Sequence, residues 1–155
     1  MKKVNEFIFS FRYFLSPNFK NEFKKINFNN KKLVVFDVGA YHGNFINDID
    51  FLDKKNLEVH FFEPIKNDYE TLKSNLKKFK NYKFNQLAIS EKTEVRNFYQ
   101  SSIPTISSFN SKKNFDKFYI YSRYLIFKLL GYKNLNINNN FKKIKVNTIS
   151  ISEYC

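Results

Sequence analysis

Apolar residues along this chain recur with two different periods. Leu33-Val34-Val35-Phe36 is an unbroken apolar run, the pattern of a strand buried on both faces. Leu57 to Phe62 reads as a second strand, closed by Glu63-Pro64, and Tyr82 to Ile89 as a third. Between them the period becomes helical. Phe45, Ile46, Ile49 and Leu52 line one face of Asn44 to Leu52. Asn67-Asp68-Tyr69-Glu70 has the spacing of a capping box and opens a helix with Tyr69, Leu72, Leu76 and Phe79 on its inner face. The order β-α-β-α-β predicts an α/β fold with a parallel sheet and right-handed crossovers.

The flanks read differently. Residues 3–15 suggest a short aromatic helix, and Ser16-Pro17 starts a second that ends near Lys25. Residues 1–30 are thus expected to be a helical extension, joined by a polar linker at 27–32 to a domain over 31–155. Beyond the third strand, Glu94 to Gln100 reads as a strand after a turn at Glu91-Lys92-Thr93, and Ser101 to Ser111 as a Ser-rich loop. Asn114 to Leu130 is an amphipathic helix stopped by Gly131, inserted at about 112–131. Its expected inner face is Phe115, Phe118, Tyr119, Ser122, Leu125, Ile126 and Leu129. Asn134 to Asn140 is an Asn-rich loop, and Ile144 to Ile151 alternates as a last strand.

Composition narrows the function classes. The 155 residues form a chain of 18.7 kDa with 43% hydrophobic and 19% aromatic residues, which excludes a disordered or collagen-like chain. The net charge of +13 points toward anionic partners, but 24 lysines stand against 3 arginines, beside 22 Asn, 20 Phe and 14 Ile. These residues share A+T-rich codons, and nucleic-acid sites favour the bidentate fork of arginine. No nucleic-acid partner is expected. The only cysteine, Cys155, permits neither an internal disulfide nor a Cys/His zinc pattern, which fits a reducing compartment. No metal site is expected. Phe7 to Phe11 after Lys2-Lys3 is interrupted by Glu6 and Arg12 and lacks a cleavage site, unlike a signal peptide. No stretch reaches the length of a bilayer span; Tyr119 to Leu130 contains Arg123 and Lys128. A cytoplasmic location is expected, with peripheral membrane contact through the aromatic, basic helix as a further expectation.

The chemistry concentrates after the first strand. In Asp37-x-Gly39-x-x-x-Gly43, Gly39 allows a tight turn and close approach of a ligand, and Gly43 allows close packing where a helix begins. Backbone amides at that helix start are expected as donors to a polar ligand. Glu63, 20 residues after Gly43, ends the second strand, where an acid can accept hydrogen bonds from a ribose diol. The first two glycines lie four apart, which fits no dinucleotide loop, and no Gly-Lys-Ser/Thr follows for a phosphate loop. A nucleoside ligand without pyrophosphate fits better, and S-adenosylmethionine is the common one.

Val35-Phe36-Asp37-Val38-Gly39-Ala40-Tyr41-His42-Gly43-Asn44-Phe45 resembles the first motif of the FkbM-type methyltransferases. Phe61-Phe62-Glu63-Pro64, with Leu72 and Asn75-Leu76 in the next helix, resembles the second. Leu87 to Lys92 and Val95 to Tyr99 are similar to that family's third strand and hairpin, Ser107-Ser108 to its Ser-Ser segment, and Val146 to Tyr154 to a later strand end. The likeness runs from about Lys32 to Cys155. It implies a Rossmann-like class I methyltransferase fold and S-adenosylmethionine as methyl donor to a hydroxyl of a sugar, glycan or other small molecule. Asp37, Gly39, Ala40 and Gly43 would line the methionine end, Glu63 the ribose, and Ala88 and Ile89 the adenine, with Tyr41 and Pro64 also among the cofactor-binding residues.

The family continues with a Lys-x-Asp-x-Glu-Gly strand that has no counterpart here, and its sheet has about seven strands. The chain is therefore expected to be the cofactor-binding N-terminal part of such an enzyme, with an incomplete sheet. Its first strand would form an exposed edge, open to a downstream polypeptide or a homodimer. A second reading is a catalytically inactive or binding-only domain of the same origin; a third is a basic surface binder. No catalytic residue is assigned. His42 is expected as a partly exposed turn residue, and His60 as a packing or hydrogen-bonding residue inside its strand.

Overall fold

In a computed structural model of the protein, residues 32–78, 80–104, 106–110, 117–137 and 141–155 are described. The expected helices within residues 1–30, Phe79, and the start of the insertion at 112–116 lie outside them. The chain divides into two compact units, Met1–Ile89 and Ser90–Cys155. The protein is mixed α/β with a small parallel sheet.

In the first unit, β1 (Leu33–Val38), β2 (Leu57–Phe62) and β3 (Tyr82–Asn85) form a sheet in the order β1-β2-β3. Both pairings are parallel, with Leu33 opposite Leu57 and Val59 opposite Tyr82. The middle strand carries the heaviest burial: Val59, Phe61 and Phe62 are almost wholly enclosed. Burial on both faces therefore belongs to β2 rather than to the run at Leu33–Phe36. Among the described residues β1 pairs with β2 alone, and Val34 and Val38 are about half exposed.

The segment after β1 is not the helix that its spacing predicts. Only Asn44–Asn47 is helical, as a 3-10 turn, and residues 48–50 are turns. Ile46, Ile49 and Leu52 lie three residues apart, the 3-10 period, and all three reach the core. Asp48, Asp50 and Asp53 would also sit badly at the C-terminal end of an α-helix. The next helix, α1 (Lys66–Leu76), begins earlier than the Asn67 capping box. Ile65 is its N-cap, and the Glu63 carboxylate accepts the Ile65 amide at 2.9 Å. Leu72 and Leu76 of α1 pack with β2 and with Ile46, Ile49 and Leu52. The expected strand over 82–89 is broken into β3 and β4 (Ala88–Ile89).

In the second unit, β5 (Val95–Ser101) pairs antiparallel with β6 (Phe141–Ile149), from Val95 opposite Asn147 to Ser101 opposite Phe141. Phe98 and Val146 turn to the buried side. Ile151 does not continue the strand. It opens α3 (Ile151–Tyr154), whose N-cap Ser150 accepts the Glu153 amide at 3.3 Å. Ser150-x-x-Glu153 is a capping box that the alternation around it conceals. Thr148, also buried, donates to the Lys92 carbonyl at 2.7 Å and accepts the Glu94 amide at 3.1 Å.

Helix α2 (Lys117–Leu129) buries a different face from the one its sequence suggests. Ile120 and Phe127 are buried, whereas Phe118 is 75% and Leu129 87% exposed, and Tyr119 and Leu125 are also exposed. Apolar residues occur on every side of KFYIYSRYLIFKL, so periodicity does not choose between stripes. Ile120 and Phe127, two turns apart, form the buried stripe; Phe127 packs edge-on against Tyr132 just beyond the helix at 5.1 Å. No helix among the described residues is long and apolar enough to cross a membrane.

Candidate functional site

The carboxyl ends of β1 and β2 meet in a hydrogen-bonded junction. Three residues of the turn after β1 lie in the left-handed region: Gly39 (φ 75°), Tyr41 (φ 51°) and Gly43 (φ 82°). An L-residue adopts that conformation at a cost, which explains the glycines at two of the three. The two differ in a second respect. A Cβ on Gly39 would meet nothing, whereas one on Gly43 would lie 2.5 Å from a methyl of Leu76 and 2.8 Å from one of Leu72. Gly43 is thus where α1 presses on the turn, as expected for close packing.

The amides of the turn are used internally. Those of Gly39 and Ala40 both donate to the Phe62 carbonyl, at 2.9 and 3.1 Å, and that of Gly43 donates to the Ala40 carbonyl at 2.8 Å. The Tyr41 amide donates to Glu63 Oε2 at 2.9 Å. With only a short 3-10 turn following, the expected row of ligand-facing amides at a helix start does not form around these four residues. An anion would find these donors already satisfied.

Glu63 is almost fully buried. It receives the Tyr41 amide on one oxygen and the Ile65 amide on the other. Its amide in turn donates to the Asn85 carbonyl at 3.1 Å, which ties in the end of β3. Burial pushes the carboxyl up to about 7, against the opposing pull of the two amides. A carboxylate has about four acceptor sites, so two remain beyond the backbone contacts.

Around the turn, the His42 ring stacks on the Tyr41 ring at 3.6 Å, and its Nε2 lies 3.2 Å from Asp68 Oδ1. Asn75 of α1 donates to the His42 carbonyl at 3.0 Å. His42 is half-buried and ion-paired with Asp68 when protonated. The sequence places Asp68 only within a capping box and gives no site role to Asp68, Asn75 or Asn85. Asn75 lay within a matched string, but nothing in the sequence tied Asp68 to His42. His60 hydrogen-bonds Glu58 at 2.8 Å and packs edge-on against Phe36, so it serves its strand as expected.

The junction therefore brings together Gly39, Ala40, Tyr41, Gly43 and Glu63, with half-buried Asp37 at the end of β1 and half-buried Pro64 following Glu63. Ala88 is buried and Ile89 half-buried on β4; the hydrogen bonds that build the junction reach β3 through Asn85 and do not include them. Ser107 and Ser108 hold their own loop in the second unit: Ser107 Oγ accepts the Ser101 amide at 2.8 Å, and Ser108 bridges to Tyr99. Among the described residues no group of three His, Cys, Asp or Glu is placed to hold a metal ion.

Compared with models of protein families, with curated proteins and with solved structures, the chain matches none.

Proposed function

We propose that the junction binds S-adenosylmethionine and that the protein passes its methyl group to a hydroxyl of a sugar or other small molecule. Bound there, the cofactor would supply an electrophilic methyl group to the hydroxyl oxygen, with a neutral thioether left behind and the hydroxyl proton released. The observation that carries the reading is the bond from the Tyr41 amide to Glu63. It sets a buried acid beside a glycine turn at the carboxyl ends of parallel strands, where ligands of such sheets bind. One feature supports a cofactor without phosphates: the turn's amides are spent internally, so none of the four is left to receive a phosphate oxygen. Glu63 would accept from the ribose hydroxyls, and Gly39 leaves room for the methionine end.

Calorimetry with S-adenosylhomocysteine tests this. Saturable binding is expected, weakened at least roughly tenfold by Glu63→Ala, because a buried hydrogen-bond acceptor for the ribose is lost. Asp37→Asn provides a second variant should Glu63→Ala unfold. Absence of saturable binding to the folded wild-type chain, or unchanged affinity in both folded variants, overturns the reading.

A further inference from the structure

At the opposite end of the same sheet a half-open cleft of about 340 Å³ lies between the amino ends of the three strands. Lys32, Lys55, Lys80 and Lys83 line it, with Asn56, Asn81 and a single acid, Glu58.

The parallel register explains the gathering. Leu33 and Leu57 are paired, so Lys32 and Asn56 stand level, and the Leu33 amide bonds the Asn56 carbonyl at 2.7 Å. Val59 is paired with Tyr82, so Asn81 stands level with Glu58 and Lys80 with Leu57, and the Asn81 carbonyl accepts the Val59 amide at 3.2 Å. Glu58 then acts as a fork. Its carboxylate holds Lys32 Nζ at 2.7 Å and Lys83 Nζ at 2.6 Å, with His60 at 2.8 Å behind. Lys32, then Lys83 and His60, keep that carboxyl well below the ordinary range, so it stays charged. An ammonium has three donors, so a pairing with Glu58 does not by itself exhaust it. Lys55 and Lys80 have no ion pair among the described residues.

We propose that this cavity is a binding site for a phosphate-bearing anion, held by Lys55 and Lys80 and completed by Lys32 and Lys83. Lysines supply rotatable point charges suited to phosphate oxygens. No aromatic side chain lines the cavity for a base to stack on, so the recognised part is the phosphate itself. A soluble phosphoester and a phosphate-headed lipid present the same chemistry. The inference stands apart from the methyl-transfer reading, since no residue is shared between the two sites.

The test is calorimetry on the whole chain with inorganic pyrophosphate, alongside flotation with phosphatidylcholine vesicles with and without phosphatidic acid. Lys55 and Lys80 are exposed, so Lys55→Ala/Lys80→Ala leaves folding intact. The charge-matched control is Lys142→Ala/Lys143→Ala, on exposed positions of β6. Saturable pyrophosphate binding is expected, weakened roughly tenfold by the first pair and less than about twofold by the second. Glu58→Gln removes the counter-charge and is expected to tighten binding severalfold. Flotation lost with the first pair assigns the site to a lipid headgroup; pyrophosphate binding without flotation assigns it to a soluble ligand. Unsaturable binding, or equal weakening by both pairs, overturns the proposal.

Discussion

The amide of Tyr41 donates to Glu63 Oε2 at 2.9 Å, across 22 residues of chain. This bond makes the end of β2 and the turn after β1 a single unit. It also makes Glu63 a structural residue before it is anything else. A ligand that uses Glu63 meets a carboxyl already fixed in place, so little ordering is required of the protein on binding.

The titration of Glu63 should appear in stability. Its folded value of about 7 lies above the ordinary 4.5, so the folded state binds the proton more tightly than the unfolded chain. The stabilisation from this group is greatest below about pH 4.5, is lost as pH rises toward 7 and then levels off, a total of about 3 kcal/mol. Glu63→Gln should abolish that slope, while losing about 1 kcal/mol at low pH because its NH₂ faces one of the two amides. Thermal melts between pH 4 and 8 measure both; a wild-type slope retained in the variant would assign the effect elsewhere.

The two turn glycines should fail by different amounts. Gly39→Ala meets only the left-handed backbone and should cost about 1–2 kcal/mol. Gly43→Ala adds a collision with Leu72 and Leu76 and should cost about 1–3 kcal/mol more. Urea titrations of the two variants give the comparison. Equal losses would mean that α1 does not press on the turn.

In the second unit, Thr148→Val keeps the shape and removes the hydroxyl that joins Lys92, Glu94 and β6. It should cost about 1–3 kcal/mol, the penalty for buried groups left without partners. Chemical denaturation followed by tyrosine fluorescence checks it, with Thr148→Ser expected to retain most of the stability.

Helix α2 offers a direct reading of its orientation. Phe127→Ala should destabilise by about 3 kcal/mol or more, and Leu129→Ala by less than about 0.5 kcal/mol. The reverse ranking would restore the face that the spacing alone suggests.

Much of the first unit was legible in sequence because its strands are short apolar runs ended by polar residues. The order β1, β2, α1, β3 and the meeting of Gly39, Gly43 and Glu63 follow from that. What stayed hidden has physical causes. Ile46, Ile49 and Leu52 satisfy a helical stripe and a 3-10 spacing equally. The stripes of α2 are too alike for period to choose between them. Ser150-x-x-Glu153 is masked by strand-like alternation. That the amides of Gly39 and Ala40 turn to Phe62 is decided by backbone geometry, on which residue type gives no information. The lysine cavity arises from the register of three separate strands, and no local pattern contains a register.

One carbonyl, that of Phe62, accepts both Gly39 and Ala40, and Phe62 belongs to the most enclosed strand of the protein. Turns ordinarily exchange their amide hydrogens quickly, by local fraying. Here the turn cannot fray by itself, because releasing its amides means loosening the end of β2. Its slow hydrogens should therefore keep time with those of Val59 and Phe61, placing a surface loop in the same cooperative unit as the core.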